Sequence, residues 1–219
     1  MEQFTERKIG PKMRRRIHDL ILHEGITPVT LSDGLINDLI DCGSIISLRT
    51  GQSLVAQGEV NPDFYILIEG IMRQWYMIDN TEVTVAFGIA GTQILNYAGF
   101  TANKPSESHF EACAKSKLMR VPREDYDRML RTSLEFCNWR LRLAYDQFYF
   151  TEMHSKVMRG DARQRYATLL ECRPEIVQKV SLKVIATYLG VSPQYLSHIR
   201  NSLEIKVAET QFAFPGKKH

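Results

Sequence analysis

The sequence predicts an α+β chain, with its strands gathered in one central block and helices on either side. Three observations predict it. Short runs rich in β-branched and aromatic residues, punctuated by glycines, follow one another from Ile45 to about Val121. Two apolar stripes of seven-residue spacing run through residues 134–157. The segment Ser181–Leu203, SLKVIATYLGVSPQYLSHIRNSL, sets a glycine and a Ser-Pro pair between two apolar-patterned stretches.

The chain has 219 residues, 44% apolar and 24% charged. That is an ordinary globular composition with room for two domains of about 100–150 residues each. No window reaches the ~18 uncharged apolar residues of a membrane span, and the basic start MEQFTERKIGPKMRRR is followed by no apolar leader. The expectation is a cytoplasmic protein with no membrane partner. Cys42, Cys113, Cys137 and Cys172 are scattered, with no CxxC and no nearby His pairing, so they read as buried reduced thiols and no metal site is expected.

Residues 11–24 read as a helix with Ile17, Leu20 and Ile21 on one face, and Arg14-Arg15-Arg16 as solvated surface. Ser32 begins a second helix carrying Leu35, Ile36, Leu39 and Ile40. The runs IISL, SLVAQG, FYILIEG, IMRQWYMI, VTVAFGI, FEACA and KLMRV then read as strands of a sandwich or barrel, with Asp79-Asn80 as a hairpin turn. Residues 123–131 form a short helix. In the long helix that follows, Leu134, Leu141 and Phe148 make one stripe; Phe136, Leu143, Phe150 and Val157 make the other. The stripes are about 200° apart, so both sides of the helix need cover: the β-domain on one and a twin helix on the other. A fully buried helix in a monomer is the alternative. Gly160-Asp161 breaks the pattern as a hinge, and a helix with Tyr166, Leu169 and Leu170 runs up to Pro174.

Charge is uneven. Residues 154–219 hold 11 Lys+Arg and 5 Asp+Glu, a balance of +6, whereas residues 1–153 hold 17 and 20, a balance of −3. A basic C-terminal third suits a nucleic-acid module. Within it, Ser181 caps a helix bearing Ile185, Ala186 and Leu189, Gly190 makes the turn, and Ser192 caps a second helix with Pro193 at its first position. Val191, Leu196 and Ile199 are the buried side of that helix. Gln194, Tyr195, Ser197, His198 and Asn201 face outward, with Arg200 nearby. This is the pattern of a helix-turn-helix, whose second helix enters the major groove of double-stranded DNA. Gln pairs with adenine, Ser and His bond base edges or phosphate, and Lys183, Arg200 and the Ser192 end are phosphate contacts.

With these residues in place, the chain over residues 30–203 resembles the cyclic-AMP receptor protein / fumarate–nitrate regulator family of transcription regulators. Gly51, Gly58 and Gly70 reproduce that family's glycine spacing, and RTGQSLVAQGEVNPDFYILIEGIMRQWY reads like its strand-turn-strand start. The resemblance implies an N-terminal cyclic-nucleotide-binding-like β-roll, a long dimerisation helix and a C-terminal winged-helix-like domain. The corresponding division is 1–133, 134–159 and 160–219. It also implies a homodimer on DNA and RNA polymerase as a further partner.

The departures carry information too. Leu95-Asn96-Tyr97 stands where the family's nucleotide-binding members have Gly-Glu-Leu, and Ser106-Glu107 where they have Arg-Ser. No arginine lies in this loop, so cyclic nucleotide is not expected as a cofactor. Leu95, Asn96, Tyr97, Ser106, Glu107, Tyr149 and Phe150 remain the candidate lining for some other effector. The oxygen-sensing cysteine cluster is absent, and haem would need His109 or His154 as an axial ligand. The tail EIKVAETQFAFPGKKH has no glycine-turned hairpin for a wing. No GxSxG, Walker loop or HExxH is present, and His18 and His23 do not share a helix face, so no enzyme is expected. The alternative function is an effector-binding or protein-interaction module whose helix-turn-helix is vestigial.

Overall fold

The computed structural model describes residues 5–22 and 31–212, with side chains up to residue 203. The chain divides into two compact units, 1–156 and 157–219.

The first unit opens with α1 (Pro11–Leu22) and α2 (Asp33–Asp41), whose Ile17, Ile21, Ile36, Leu39 and Ile40 are buried. The last two positions of the helix expected over 11–24 lie outside the described residues. Ser32 stands at the N-cap of α2, but its side chain makes no capping bond. Its N–H and hydroxyl instead donate to the Glu135 carboxylate, at 2.6 and 3.2 Å.

Eight strands follow: β1 (Ser44–Leu48), β2 (Ser53–Val55), β3 (Phe64–Glu69), β4 (Met72–Ile78), β5 (Thr81–Gly88), β6 (Gln93–Leu95), β7 (His109–Ala112) and β8 (Ser116–Val121). They form two four-stranded antiparallel sheets, ordered β1-β8-β3-β6 and β2-β7-β4-β5. All seven expected strands are present. The eighth, β6, and the six-residue helix α3 (Tyr97–Ala102) after it come from TQILNYAGF, too short and mixed to announce either.

Two cores flank the first sheet, and β3 serves both. Phe64, Ile66 and Ile68 point to one, with α1, α2 and Val121; Tyr65 and Leu67 point to the other, with Met72, Phe110 and Ala112 of the second sheet. A strand covered on both faces must be apolar throughout, which is why FYILI shows no alternation. The β4–β5 turn has φ of 45° at Asp79 and 61° at Asn80, the left-handed pair that a two-residue hairpin needs. Gly70 has φ of 101°, and a Cβ there would sit 2.5 Å from the Lys115 carbonyl. Only glycine fits.

On the second sheet, Arg73 is 5% exposed. It donates to both Glu111 oxygens (3.2 and 3.3 Å) and to Glu82 (3.0 Å), beneath the Trp75 ring.

The unit closes with α4 (Arg123–Thr132) and α5 (Leu134–Met158). Ser133 accepts from the Phe136 N–H, and Phe136 and Trp139 are sealed against the first core. The second stripe is not covered throughout: Leu143 and Val157 are half-buried, but Phe150 is 45% exposed. The reason is length. A helix of 25 residues runs about 37 Å, while a four-stranded sheet of short strands spans only about 15–20 Å either way.

The second unit is helical: α6 (Ala162–Cys172), α7 (Pro174–Lys179), α8 (Leu182–Leu189) and α9 (Pro193–Phe212). Asp161 starts α6 with a reciprocal capping box: its carboxylate accepts from Gln164 N–H (2.9 Å) and the Gln164 side chain accepts from Asp161 N–H (3.1 Å). Pro174, expected as an end, also begins α7. The family-like wing is not formed over residues 204–212, where α9 continues instead. Glu204, Lys206, Ala208 and Glu209 are good helix formers with no glycine among them. Residues 213–219 lie outside the described residues.

Candidate nucleic-acid interface

The geometry of α8, its turn and α9 follows from a handful of side chains. Ser181 Oγ accepts from Val184 N–H (3.4 Å) and Ser192 Oγ from Tyr195 N–H (3.1 Å), so both helices start on a hydroxyl cap. Gly190 ends α8 with φ of 65°, the left-handed state in which a side chain is strained. The next N–H, of Val191, donates back to the Ala186 carbonyl at 3.1 Å. Ile185, Ala186, Leu189, Leu196 and Ile199 are buried, and Val191 is half-buried.

With Leu196 and Ile199 turned inward, helical spacing leaves Gln194, His198 and Asn201 in one outward row. All three are exposed, with Tyr195 beside them at 52% exposure and Arg200 also exposed. Ser197, expected outward, is half-buried. Lys183 and Ser192 are exposed, at the starts of α8 and α9. Every sequence-derived candidate therefore sits on these two helices and their connection. The sequence reading does not single out two arginines of α6. Arg163 donates to Ser202 Oγ at 2.6 Å and ties α6 to α9. Arg165 extends to the turn, its Nη1 3.9 Å from where a Gly190 side chain would begin. No local pattern announces either role, because both depend on how α6 packs.

The candidate effector residues are more dispersed. Leu95 belongs to the outer core of the first sheet, not to the space between the sheets. Asn96 is 5% exposed, at the N-cap of α3, and Tyr97 is 58% exposed. Ser106 is buried and fully engaged. Its hydroxyl donates to the Ser108 carbonyl (2.6 Å), its N–H to Glu59 O and its carbonyl accepts from Gly58 N–H, both 2.8 Å. This segment is thereby stitched to the Gly58 turn. Glu107 points to solvent. Tyr149 and Phe150 contact each other at 6.4 Å between centroids and stay about half exposed. Gln74, which donates to Ser108 Oγ at 3.2 Å, adds another neutral group. The buried and half-buried polar groups named here, Asn96, Ser106, Ser108 and Gln74, are thus neutral hydroxyls and amides, with Lys104 and Glu107 exposed, while Tyr65, Phe110 and Ile94 fill the space between the sheets.

Two arginines of the flanking helices serve packing. Arg140 of α5 donates to Gln93 and lies near the rings of Phe64, Tyr126 and Trp139. Arg123 covers Phe100 at 4.0 Å. Burial pushes the Tyr65 hydroxyl up to about 12 and raises those of Tyr97 and Tyr126. These phenols are proton donors, not anions, at neutral pH. His109 is occupied: its Nδ1 accepts from Gln57 N–H (3.3 Å) and its ring stacks on Trp75 at 4.2 Å. His154 is half-buried, and burial lowers its basicity. Among the described residues no group of three or more His, Cys, Asp or Glu could hold a metal ion. The cysteines are only partly as expected: Cys42, Cys113 and Cys137 are half-buried, but Cys172 is exposed. No described helix is long and apolar enough to cross a membrane.

The profile of the cyclic nucleotide-binding domain matches residues 45–133, the two sheets and α4. No curated protein matches the chain. Solved structures share its fold at low identity. FixK2 from Bradyrhizobium japonicum is 17% identical with a TM-score of 0.62, over 80% of this chain and 89% of its own. The c-di-GMP responsive global regulator CLP of Xanthomonas campestris is 16% identical at 0.61, over 80% and 93%. The Thermus thermophilus catabolite activator protein is 16% identical at 0.52, over 90% and 91%. A cyclic nucleotide-binding β-roll with accompanying helices is therefore the fold of the first unit.

Proposed function

We propose that the protein is a sequence-specific DNA-binding transcription regulator, working as a homodimer through α5 and reading DNA with α9. One observation carries the reading: the outward row of Gln194, His198 and Asn201 on a helix whose opposite side is sealed and whose start is capped and preceded by a left-handed glycine. Such a helix presents hydrogen-bonding side chains at major-groove depth while its N-terminal end, with Ser192 and Lys183 nearby, meets phosphate. The likeness to a catabolite activator protein and a global regulator supports it. In the dimer, two such helices about 34 Å apart read half-sites of a near-palindrome. RNA polymerase is the downstream partner such a regulator addresses. The divisions 1–133, 134–159 and 160–219 serve as effector-like, pairing and reading segments.

Cyclic nucleotide is not the effector in this reading. A cyclic phosphate needs a cation fixed over it; the α3–β7 segment has only the exposed Lys104, with Glu107 three residues on, and Ser106 there spends its hydrogen bonds on the backbone. A small neutral ligand against Asn96, Tyr97 and Gln74, reached by Tyr149 and Phe150, fits the chemistry better. Selection from a random duplex library with purified protein and no added ligand is the test. An enriched inverted repeat, bound with a steep salt dependence, is the expected result. Binding that ignores sequence, with and without candidate ligands, would leave an interaction module with an idle second unit.

A further inference from the structure

One face of α5 is apolar, regular and uncovered. Leu134 is 77% exposed, Leu141 52%, Tyr145 57% and Phe148 72%. Asn138 and Glu152 share their line and are exposed as well. Positions 134, 138, 141, 145, 148 and 152 advance by alternate steps of four and three, the two seam positions of a heptad. Leu134, Leu141 and Phe148 fall on d; Asn138, Tyr145 and Glu152 fall on a. Phe136 and Trp139, on the other side of the helix, are the residues buried against the β-domain. Exposure, more than spacing, therefore picks out the seam. The half-buried Cys137 and Ala144 flank it.

Resting on the homodimer reading above, we infer that Asn138 specifies how two copies of α5 pair: parallel, in register, with the two Asn138 amides facing each other in one layer. The occupant is a second copy because the face is built to meet itself. A 3.5-residue repeat packs knobs into the holes of an identical repeat, and an unrelated groove has no use for that period. The amide decides the alignment. Each Asn offers a carbonyl and an NH2 group, so two in one layer satisfy each other. A slip of one heptad sets Asn138 against Tyr145, and an antiparallel pairing sets it against a leucine or Phe148. The first answers only part of the amide with a lone hydroxyl, and the second strands it in an apolar layer. An Asn at an a position beside Leu at d is the combination that holds coiled coils to two strands and one register; Glu152, the other polar residue at an a position, lies at the C-terminal end of the seam.

The test uses the full chain with Leu134→Cys and Leu141→Cys as reporters, oxidised under copper–phenanthroline and mapped by mass spectrometry, beside sedimentation of the unmodified protein. With Asn138 present, only 134–134 and 141–141 links are expected. Asn138→Val should tighten the dimer by about tenfold while admitting slipped 134–141 links or larger assemblies. Asn138→Ala should admit the slip without the tightening. A dimer that keeps the in-register links alone in both variants overturns the role of Asn138 and leaves the dimer standing. Slipped links with Asn138 in place overturn it equally. A wild-type chain that stays monomeric at tens of micromolar overturns the inference together with the dimer.

Discussion

Removing the Gln194 side chain is the sharpest perturbation of the proposed reading surface. Gln194 is exposed, two residues into α9, and Leu196 and Ile199 hold the helix in place without it. Gln194→Ala should therefore change stability by no more than about 0.5 kcal/mol. Its effect on recognition should be far larger. A good bidentate base contact is worth about 1–3 kcal/mol, and a dimer makes it twice, giving about 2–6 kcal/mol per operator. At about 1.4 kcal/mol per decade, operator affinity falls by roughly 30-fold to 10⁴-fold. Affinity for scrambled duplex should stay the same, because a neutral amide releases no counterions. The assay is fluorescence anisotropy on the selected operator and a scrambled control at one salt concentration, with a thermal melt alongside. Unchanged operator affinity in Gln194→Ala, and again in Gln194→Ala with His198→Ala, would refute the assignment of α9 as the reading helix.

Three further outcomes follow from the first unit. Gly70→Ala adds a Cβ at φ of 101° against the Lys115 carbonyl and the Ser116 backbone; a loss of at least about 2 kcal/mol, seen as a melting point about 4–8 °C lower, is expected. Arg73→Leu leaves Glu111 and Glu82 facing each other without their shared cation, and urea titration should register a loss of about 2–4 kcal/mol, at the lower end if Glu82 rehydrates. Burial pushes the Cys113 thiol up to about 12, so in the folded protein it should resist alkylation at pH 8 while exposed Cys172 reacts. Its folded value lies above the ordinary thiol value of 9.0; the stability it contributes is present below that value and lost as pH rises from about 9 towards 12. Equal labelling of the two thiols in the native state would contradict this.

What could be read from the sequence alone was whatever local chemistry specifies. The strand runs, the Asp79-Asn80 hairpin, the α8–turn–α9 segment and its caps each depend on residues within a few positions of one another. Turn geometry, capping and period act at that range. The elements missed, β6, α3 and α7, are three to six residues long, too short for a period to establish itself. The resemblance implied a winged-helix-like end, but the tail has no glycine-turned hairpin, and its helix formers continue α9 instead.

Tertiary structure decided everything that depends on distant neighbours. Both stripes of α5 are equally apolar in sequence, and only packing against the first sheet buries Phe136 and Trp139 while leaving Leu134, Leu141 and Phe148 outside. Nothing near Arg73 in the chain marks it as buried, since Glu111 is 38 positions away. Ser106 reads as an open pocket position until the Gly58 turn is brought onto it. The physical reason is common to all three: backbone propensity is settled by adjacent residues, but burial and hydrogen-bond satisfaction are properties of the surface that folding places opposite, and the chain's local order carries no record of that surface.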